Sequence, residues 1–365
     1  MLRASLRCLN QKVLYQDFPR ARLVILNNVK AHNALNMEML ERLMDLYMRH
    51  PAPETSIYVL KGAGNKAFCA GGDVVNLTTD KTYKTAQRFY YEEYQLNYHL
   101  MTMKSAQVAL WNGYVLGGGV GISLPSRYRV ATEKTLFGMP ETAIGLIPDV
   151  GGTWFLPRLK HAGVGLYMGL TGHKLKGADV MHAGLATHFV PSAKIPELEK
   201  ALCEIRDAST VGALLDSYNV KDLPPYSLER DLPFFAKTFR KDTTMEAIME
   251  AVTAERAADE IVEEAHRLMS SYSPTSLKLA LEAYRRGCDM TDPKDAFALE
   301  YMMALRLAKD GDFVEGVRAL LVDKDKKPQW SPKTLAEVTP ASLETFFKPT
   351  FANQVAWDPV KPFPE

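Results

Sequence analysis

The sequence predicts an α/β fold that gives way to a helical C-terminal region. Short runs of alternating apolar residues recur between stretches of helical spacing up to about Pro191. Long amphipathic stretches take over beyond Pro196, and three glycine-rich loops each follow a predicted strand. In chain order, residues 22–26 and 56–61 alternate as strands do, and residues 37–48 between them set apolar side chains at helical intervals. A second cycle follows, with a helix over 83–103, a strand over 107–110 and a glycine-rich turn into a helix start over 118–123. A third strand pair, 128–131 and 136–138, leads into a loop over 139–152.

Past residue 196 the strands nearly vanish, and amphipathic spacing predicts helices over 198–208, 245–254, 257–271 and 296–309. Residues 221–233, which include Leu223-Pro224-Pro225-Tyr226, interrupt helix and predict an irregular crossing. Ser273-Pro274 opens another helix, the serine capping its end and the proline filling a first-turn position whose amide needs no partner. The expected organisation is therefore a short leader over 1–12, an α/β core over 13–196 and a mainly helical region over 197–365.

Composition narrows the function classes. Of 365 residues, 44 are basic and 43 acidic, so a net charge of +1 offers no global field for nucleic acid or an anionic membrane. The apolar runs, such as 108–111 and 120–124, are far too short to cross a bilayer and are interrupted by glycines, so no membrane partner is expected. Cys8, Cys69, Cys203 and Cys288 are scattered, with no metal-ligand spacing and no disulfide framework, which fits a reducing compartment. The leader carries Arg3, Arg7 and Lys12 with Ser5 and no acid, while Leu2, Leu6 and Leu9 share a helical face, a pattern that suits mitochondrial targeting. A basic terminus without that role has the same composition.

The three loops carry the chemistry. In Lys66-Ala67-Phe68-Cys69-Ala70-Gly71-Gly72-Asp73, consecutive small residues let a ligand approach the main chain, and the amides near Gly72 are potential donors to it. Gly117-Gly118-Gly119-Val120-Gly121 lies at a strand-to-helix junction, where helix-start amides point outward without partners. One amide from each loop, aimed at a carbonyl oxygen that gains negative charge, is typically worth about 3 kcal/mol. Taken singly, either loop also reads as a tight turn. Cys69 sits between Phe68 and Ala70 with no cation nearby to lower its pKa, so it reads as packing. The third loop runs from Met139 to Gly152 and sets Glu141 and Asp149 in a nearly uncharged stretch, where an ionised side chain is expensive to bury without a task or a partner. Both are acid-base candidates; the structural alternative is that each caps a helix or pairs with an arginine such as Arg158.

Together these loops resemble the crotonase superfamily, the enoyl-CoA hydratase and isomerase relatives. The resemblance implies a spiral of strand-strand-helix units followed by a helical segment, an α/β crotonase-type fold with its core over 13–196. Lys30-Ala31-His32-Asn33-Ala34-Leu35 is similar to the segment whose backbone meets the nucleotide portion of coenzyme A, which makes Lys30, Ala31 and Ala70 backbone CoA contacts. Asn28-Val29 stands where the family usually has Arg-Pro. By the same match Gly72 and Gly118 supply the two oxyanion-hole amides, and Glu141 falls on a catalytic glutamate of the hydratases. The second hydratase glutamate is absent, Gly121 taking its place, and Asp149 stands where hydratases have a small residue.

Glu141 paired with Asp149 resembles instead the 3-hydroxyisobutyryl-CoA hydrolase branch. So do Glu92-Glu93-Tyr94, the run from Ala131 to Gly145, Phe155-Leu156-Pro157-Arg158-Leu159, Ser273-Pro274-Thr275-Ser276-Leu277-Lys278 and the run from Asp312 to Asp325. The implied activity is hydrolysis of a short 3-hydroxyacyl-CoA thioester, with Gly118, Glu141, Asp149 and Glu93 meeting the substrate. Glu93 also reads as a solvated position on the predicted 83–103 helix. No cofactor is implied, coenzyme A being part of the substrate, and the implied location is the mitochondrial matrix. Two alternatives stay open: enoyl-CoA hydration or isomerisation, and a structural place in the mitochondrial ribosomal small subunit, with Lys324 to Lys327 as contacts. The resemblance also admits a homo-oligomer.

Overall fold

A computed structural model describes residues 11–54, 56–80, 82–352 and 354–364. Residues 1–10 of the expected leader lie outside the described residues. The chain forms two compact units, each drawing on three stretches: Met1–Gly72, His99–Phe137 and Leu175–Tyr226 make the first, and Asp73–Tyr98, Gly138–Lys174 and Ser227–Glu365 the second.

The first unit is built on its sheets. The strands are β1 (Val13–Asp17), β2 (Ala21–Leu26), β3 (Ile57–Gly62), β4 (Ala67–Cys69), β5 (Gln107–Trp111), β6 (Tyr114–Leu116), β7 (Tyr128–Ala131), β8 (Leu136–Gly138), β9 (Leu175–Lys176) and β10 (His188–Phe189). One sheet has the order β1-β2-β3-β5-β7-β10, antiparallel only at the β1-β2 hairpin, where Val13 faces Leu26; the other has the order β4-β6-β8-β9. Parallel neighbours need crossovers, and the helices Met37–Met44 and Lys84–Thr102 occupy two of them. The expected strands at 22–26, 56–61, 107–110, 128–131 and 136–138 are all present within a residue. Strands β4, β6, β9 and β10 have two or three residues each, too few for alternation to register in the sequence.

Alternation decides what each strand packs against. Val108 and Leu110 on β5, with Ile57 and Val59 on β3, point into a core closed by Ile195, Leu198, Leu202, Val211 and Leu215 from the helices Ile195–Cys203 and Val211–Tyr218. The predicted 198–208 helix stops at Cys203 because Asp207 begins a fresh turn, its side chain accepting from the Ser209 amide at 2.9 Å. Trp111, on the other side of β5, is fully buried against Phe137 and donates from Nε1 to Ser123 Oγ at 2.9 Å.

The second unit is helical. Its main elements are Lys84–Thr102 as far as Tyr98, Val164–Thr171, Met245–Glu255, Glu260–Met269, Pro274–Asp289, Pro293–Asp310 and Asp312–Val317. Ser273 caps its helix as the sequence predicts, accepting from the Ser276 amide at 3.0 Å. The predicted irregular crossing at 221–233 ends sooner, since Pro233 sits in the first turn of Leu232–Thr238. Among the described residues after Phe347 no helix or strand forms, but the tail is tied down. Trp357 Nε1 donates to Tyr91 O at 3.2 Å, Gln95 Nε2 to Asp358 O at 2.7 Å, and Tyr91 Oη to Lys361 O at 3.1 Å. Among the described residues no helix is long and apolar enough to cross a membrane.

Candidate active site

The two glycine loops of the first unit are neighbours because of strand polarity. β4 and β6 pair in parallel, so the turns leaving their C-terminal ends, Ala70 to Gly72 and Gly117 to Gly121, emerge on the same edge. They touch: a side chain at Gly119 would place its Cβ 2.6 Å from the carbonyl oxygen of Cys69. Gly71 (φ 111°) and Gly117 (φ 47°) take conformations open to glycine. Gly118 begins a single helical turn, Gly118–Gly121, whose first amides have no partner within that turn. The turn is braced from β5, Ser123 Oγ receiving the Trp111 indole and donating to Gly119 O at 2.6 Å.

The 28–35 segment is stitched to the first loop. The Ala70 amide donates to His32 O at 3.1 Å and the Leu35 amide to Gly71 O at 2.8 Å, and Leu35 bridges to Gly72. Buried Asn33 donates to the carbonyls of Ala63 and Ala67 at 3.0 Å. Lys30 and Ala31 are exposed on this surface. The amides of Ala31 and Ala70 are spent within the chain, and the Ala31 carbonyl already accepts from the Ala34 amide at 3.0 Å. Cys69 is fully buried, in line with a packing role.

The carboxylates gather in the second unit. Glu141 opens the short helical turn Glu141–Ile144, closed by Gly145 in the left-handed region at φ 74°. The turn rests against the Asp312–Val317 helix with main chain on main chain. A Cβ on Gly145 would lie 2.4 Å from Asp312 O, and one on Gly316 would lie 2.2 Å from Ile144 O. Asp312 is pinned in turn, accepting from Ser273 Oγ at 2.6 Å and from the Ser331 amide at 2.8 Å. Glu93 is 2% exposed, Asp149 5% and Glu141 6%, so the predicted solvated alternative for Glu93 does not hold. Tyr94 Oη donates to Asp149 Oδ2 at 2.7 Å. Among the described residues, Glu93 Oε1, Glu141 Oε2 and Tyr90 Oη are buried without a hydrogen-bond partner.

Burial sets the electrostatics of the three carboxyls. It pushes the Glu141 carboxyl well above its ordinary range, the neighbouring Asp149 charge adding to the effect and Lys174 opposing it. Glu93 is raised for the same two reasons, burial and then Asp149. Asp149 itself rises to about 6 through burial, held back by the Tyr94 hydrogen bond. With its pKa raised, each of the three is, when ionised, a stronger base than a carboxylate in water. Arg158 is not their partner. It stacks on the Trp154 ring at 3.5 Å and donates to the carbonyls of Trp154, Gly287 and Met290. Among the described residues no group of three His, Cys, Asp or Glu side chains is arranged to hold a metal ion.

The sequence left Tyr90, Tyr94 and Glu300 without a role. Tyr90, Glu93 and Tyr94 fall at i, i+3 and i+4 on one helical face, a spacing legible in hindsight. Glu300 carried no signal, since it lies 151 positions after Asp149 by numbering within an ordinary amphipathic helix.

Residues 21–347 match the family described as enoyl-CoA hydratase/isomerase. The mitochondrial 3-hydroxyisobutyryl-CoA hydrolase of Gallus gallus is 41% identical over 359 residues, covering 94% of this chain and 90% of that one. The corresponding Homo sapiens protein is 39% identical over 354 residues, covering 93% and 89%. Among solved structures, a carnitinyl-CoA dehydratase from Mycobacterium thermoresistibile superposes with a TM-score of 0.85 at 34% identity, over 95% of this chain and 99% of that one.

Proposed function

This chain belongs to the enoyl-CoA hydratase/isomerase family, and from that membership we propose that it is an acyl-CoA thioester hydrolase cleaving 3-hydroxyisobutyryl-CoA to 3-hydroxyisobutyrate and coenzyme A, a step of valine breakdown. The observation that carries the reading is the buried trio Glu93, Glu141 and Asp149, taken together with the glycine, Gly121, at the sequence position where hydratases hold their second glutamate. Hydration by two carboxylates lacks one of its groups. Hydrolysis needs one strong base and a polarised carbonyl.

In this reading the amides of Gly72 and Gly118 receive the thioester oxygen as it gains negative charge. Glu141, its basicity raised by burial, either takes a proton from the attacking water or attacks the carbonyl carbon itself. In the first route the water oxygen bonds to the acyl carbon and the carbon–sulfur bond breaks as the thiolate leaves and is protonated. In the second, a mixed anhydride forms on Glu141 as the thiolate departs, and water then opens it. Asp149 and Glu93 hold the 3-hydroxyl of the acyl group, and a site built for a hydroxyl rejects acyl groups lacking one. No resident cofactor enters either route. Lys30, Ala31 and Ala70 meet the nucleotide end of coenzyme A through main-chain atoms.

Glu141→Gln is expected to abolish thioester cleavage while leaving acyl-CoA binding in place; hydrolysis at the wild-type rate by that variant overturns the assignment. Single turnover in oxygen-labelled water separates the routes, label in the Glu141 carboxylate marking the anhydride. Crotonyl-CoA hydration matching hydrolysis of the 3-hydroxyacyl ester would favour a hydratase instead. The mitochondrial designation of the two relatives supports a mitochondrial location, and we place the protein in the matrix. Import into isolated mitochondria followed by protease protection tests that placement.

A further inference from the structure

Asp149 leads into a turn that an ordinary residue resists. Val150 adopts φ 49°, in the left-handed region where a β-branched side chain is a genuine outlier, and Gly151 continues there at φ 91°. The turn closes with the Gly152 amide donating to Asp149 O at 2.8 Å. Strain of this kind persists only where the surroundings over-determine the backbone.

Glu300, from the Pro293–Asp310 helix, supplies that constraint. It is fully buried, and its two carboxylate oxygens each accept a main-chain amide: Gly151 N to Oε2 and Thr153 N to Oε1, both at 2.8 Å. These amides flank the start of the Gly152–Phe155 turn, so one carboxylate grips both sides of the junction just after Asp149. One helical turn earlier, Phe297 lies where a Cβ on Gly151 would be 3.4 Å from its ring, and the same ring lies 6.0 Å from that of Tyr94, the donor to Asp149. A carboxylate with two acceptor oxygens fits two amides. A glutamine would turn an N–H group toward one of them.

We infer that Glu300 is a positioning residue for the hydrolysis: by holding the Gly151 and Thr153 amides it locks the left-handed Val150 turn and thereby fixes Asp149 against Tyr94. Glu300 touches no reacting atom in this role, and its effect on turnover rests on the function proposed above. The lock is a property of the fold and is measurable without substrate.

The test is E300Q, followed by amide hydrogen exchange and by 3-hydroxyacyl-CoA hydrolysis. Exchange at Gly151 and Thr153 should accelerate at least about tenfold, and kcat should fall at least about tenfold with KM within about threefold, since Asp149 is the one substrate contact disturbed and the coenzyme A contacts are untouched. Val150→Gly, which removes the strain the lock opposes, should restore part of the lost kcat in the E300Q background and gain nothing in the wild type. A merely structural Glu300 would lower stability without that rescue. If E300Q does not fold, E300D keeps the charge one methylene short, and an intermediate loss of exchange protection and of kcat is expected. Unchanged exchange at both amides, or kcat within about twofold of wild type in a folded variant, overturns the inference. A wild-type protein that cleaves no 3-hydroxyacyl-CoA overturns the function reading instead, and the exchange result still judges Glu300.

Discussion

Removing the Asp149 charge should make this protein more stable and inactive. An aspartate ordinarily titrates near 3.8, and burial carries Asp149 up to about 6 even though Tyr94 donates to it. At about 1.4 kcal/mol per pH decade, keeping that carboxylate ionised near neutral pH costs the folded state on the order of 3 kcal/mol. The sign follows from the folded value lying above the unfolded one. The protonated carboxyl favours the fold, that contribution is complete below pH 3.8, and it is lost as the pH rises through about 6. Asp149→Asn keeps the shape and an oxygen to accept from Tyr94 while removing the charge. The variant is therefore expected to outlast the wild type in urea near neutral pH by about 2–3 kcal/mol, with the difference closing below about pH 4. Denaturation followed by tryptophan fluorescence at both pH values reads the offset, and thiol release from the 3-hydroxyacyl-CoA reads the loss of turnover. An Asp149→Asn protein less stable than wild type near neutral pH, or more stable by the same amount at both pH values, would refute the reasoning.

Tyr94→Phe removes the donor at 2.7 Å. A hydrogen bond to a charged group is worth about 1.5–3 kcal/mol, so the limb of the pH–rate profile that reports Asp149 should move up by about one pH unit or more. A limb that stays in place would show that Asp149 is not the group titrating. Gly316→Ala places a methyl group 2.2 Å from Ile144 O, where both sides are main chain and neither is free to yield. A loss of about 2 kcal/mol or more in urea midpoint stability is expected, together with weakened hydrolysis because the displaced carbonyl belongs to the Glu141 turn. Trp357→Ala empties the ring contacts to Phe297 and Tyr98 and the bond to Tyr91 O. About 2 kcal/mol of stability should go with it, and an unchanged urea midpoint would show that the tail is laid on the surface rather than built into it.

Much of the fold and the two carboxylates of the Met139 to Gly152 loop were legible in the order of residues. Residues 22–26, 56–61 and 107–110 read as strands from their short apolar runs, although the fold buries both faces of these strands, and Ser273-Pro274 reads as a helix start because capping is a local contact. Glu141 and Asp149 stood out because ionisable side chains in a nearly apolar loop need a reason, and the loops of glycine did so because only glycine permits that backbone. Local patterns carry what local physics decides. Only the tertiary structure brought together what lies far apart in the chain: Glu93 and Tyr94 with Asp149, Asp312 with Ser273 and Ser331, and Glu300 with the amides of Gly151 and Thr153. A glutamate in an amphipathic helix is an unremarkable surface residue until packing buries it. Whether a carboxylate is solvated or raised in pKa, a cap or a base, depends on the dielectric and donors around it, which are set by side chains that the sequence does not place next to it.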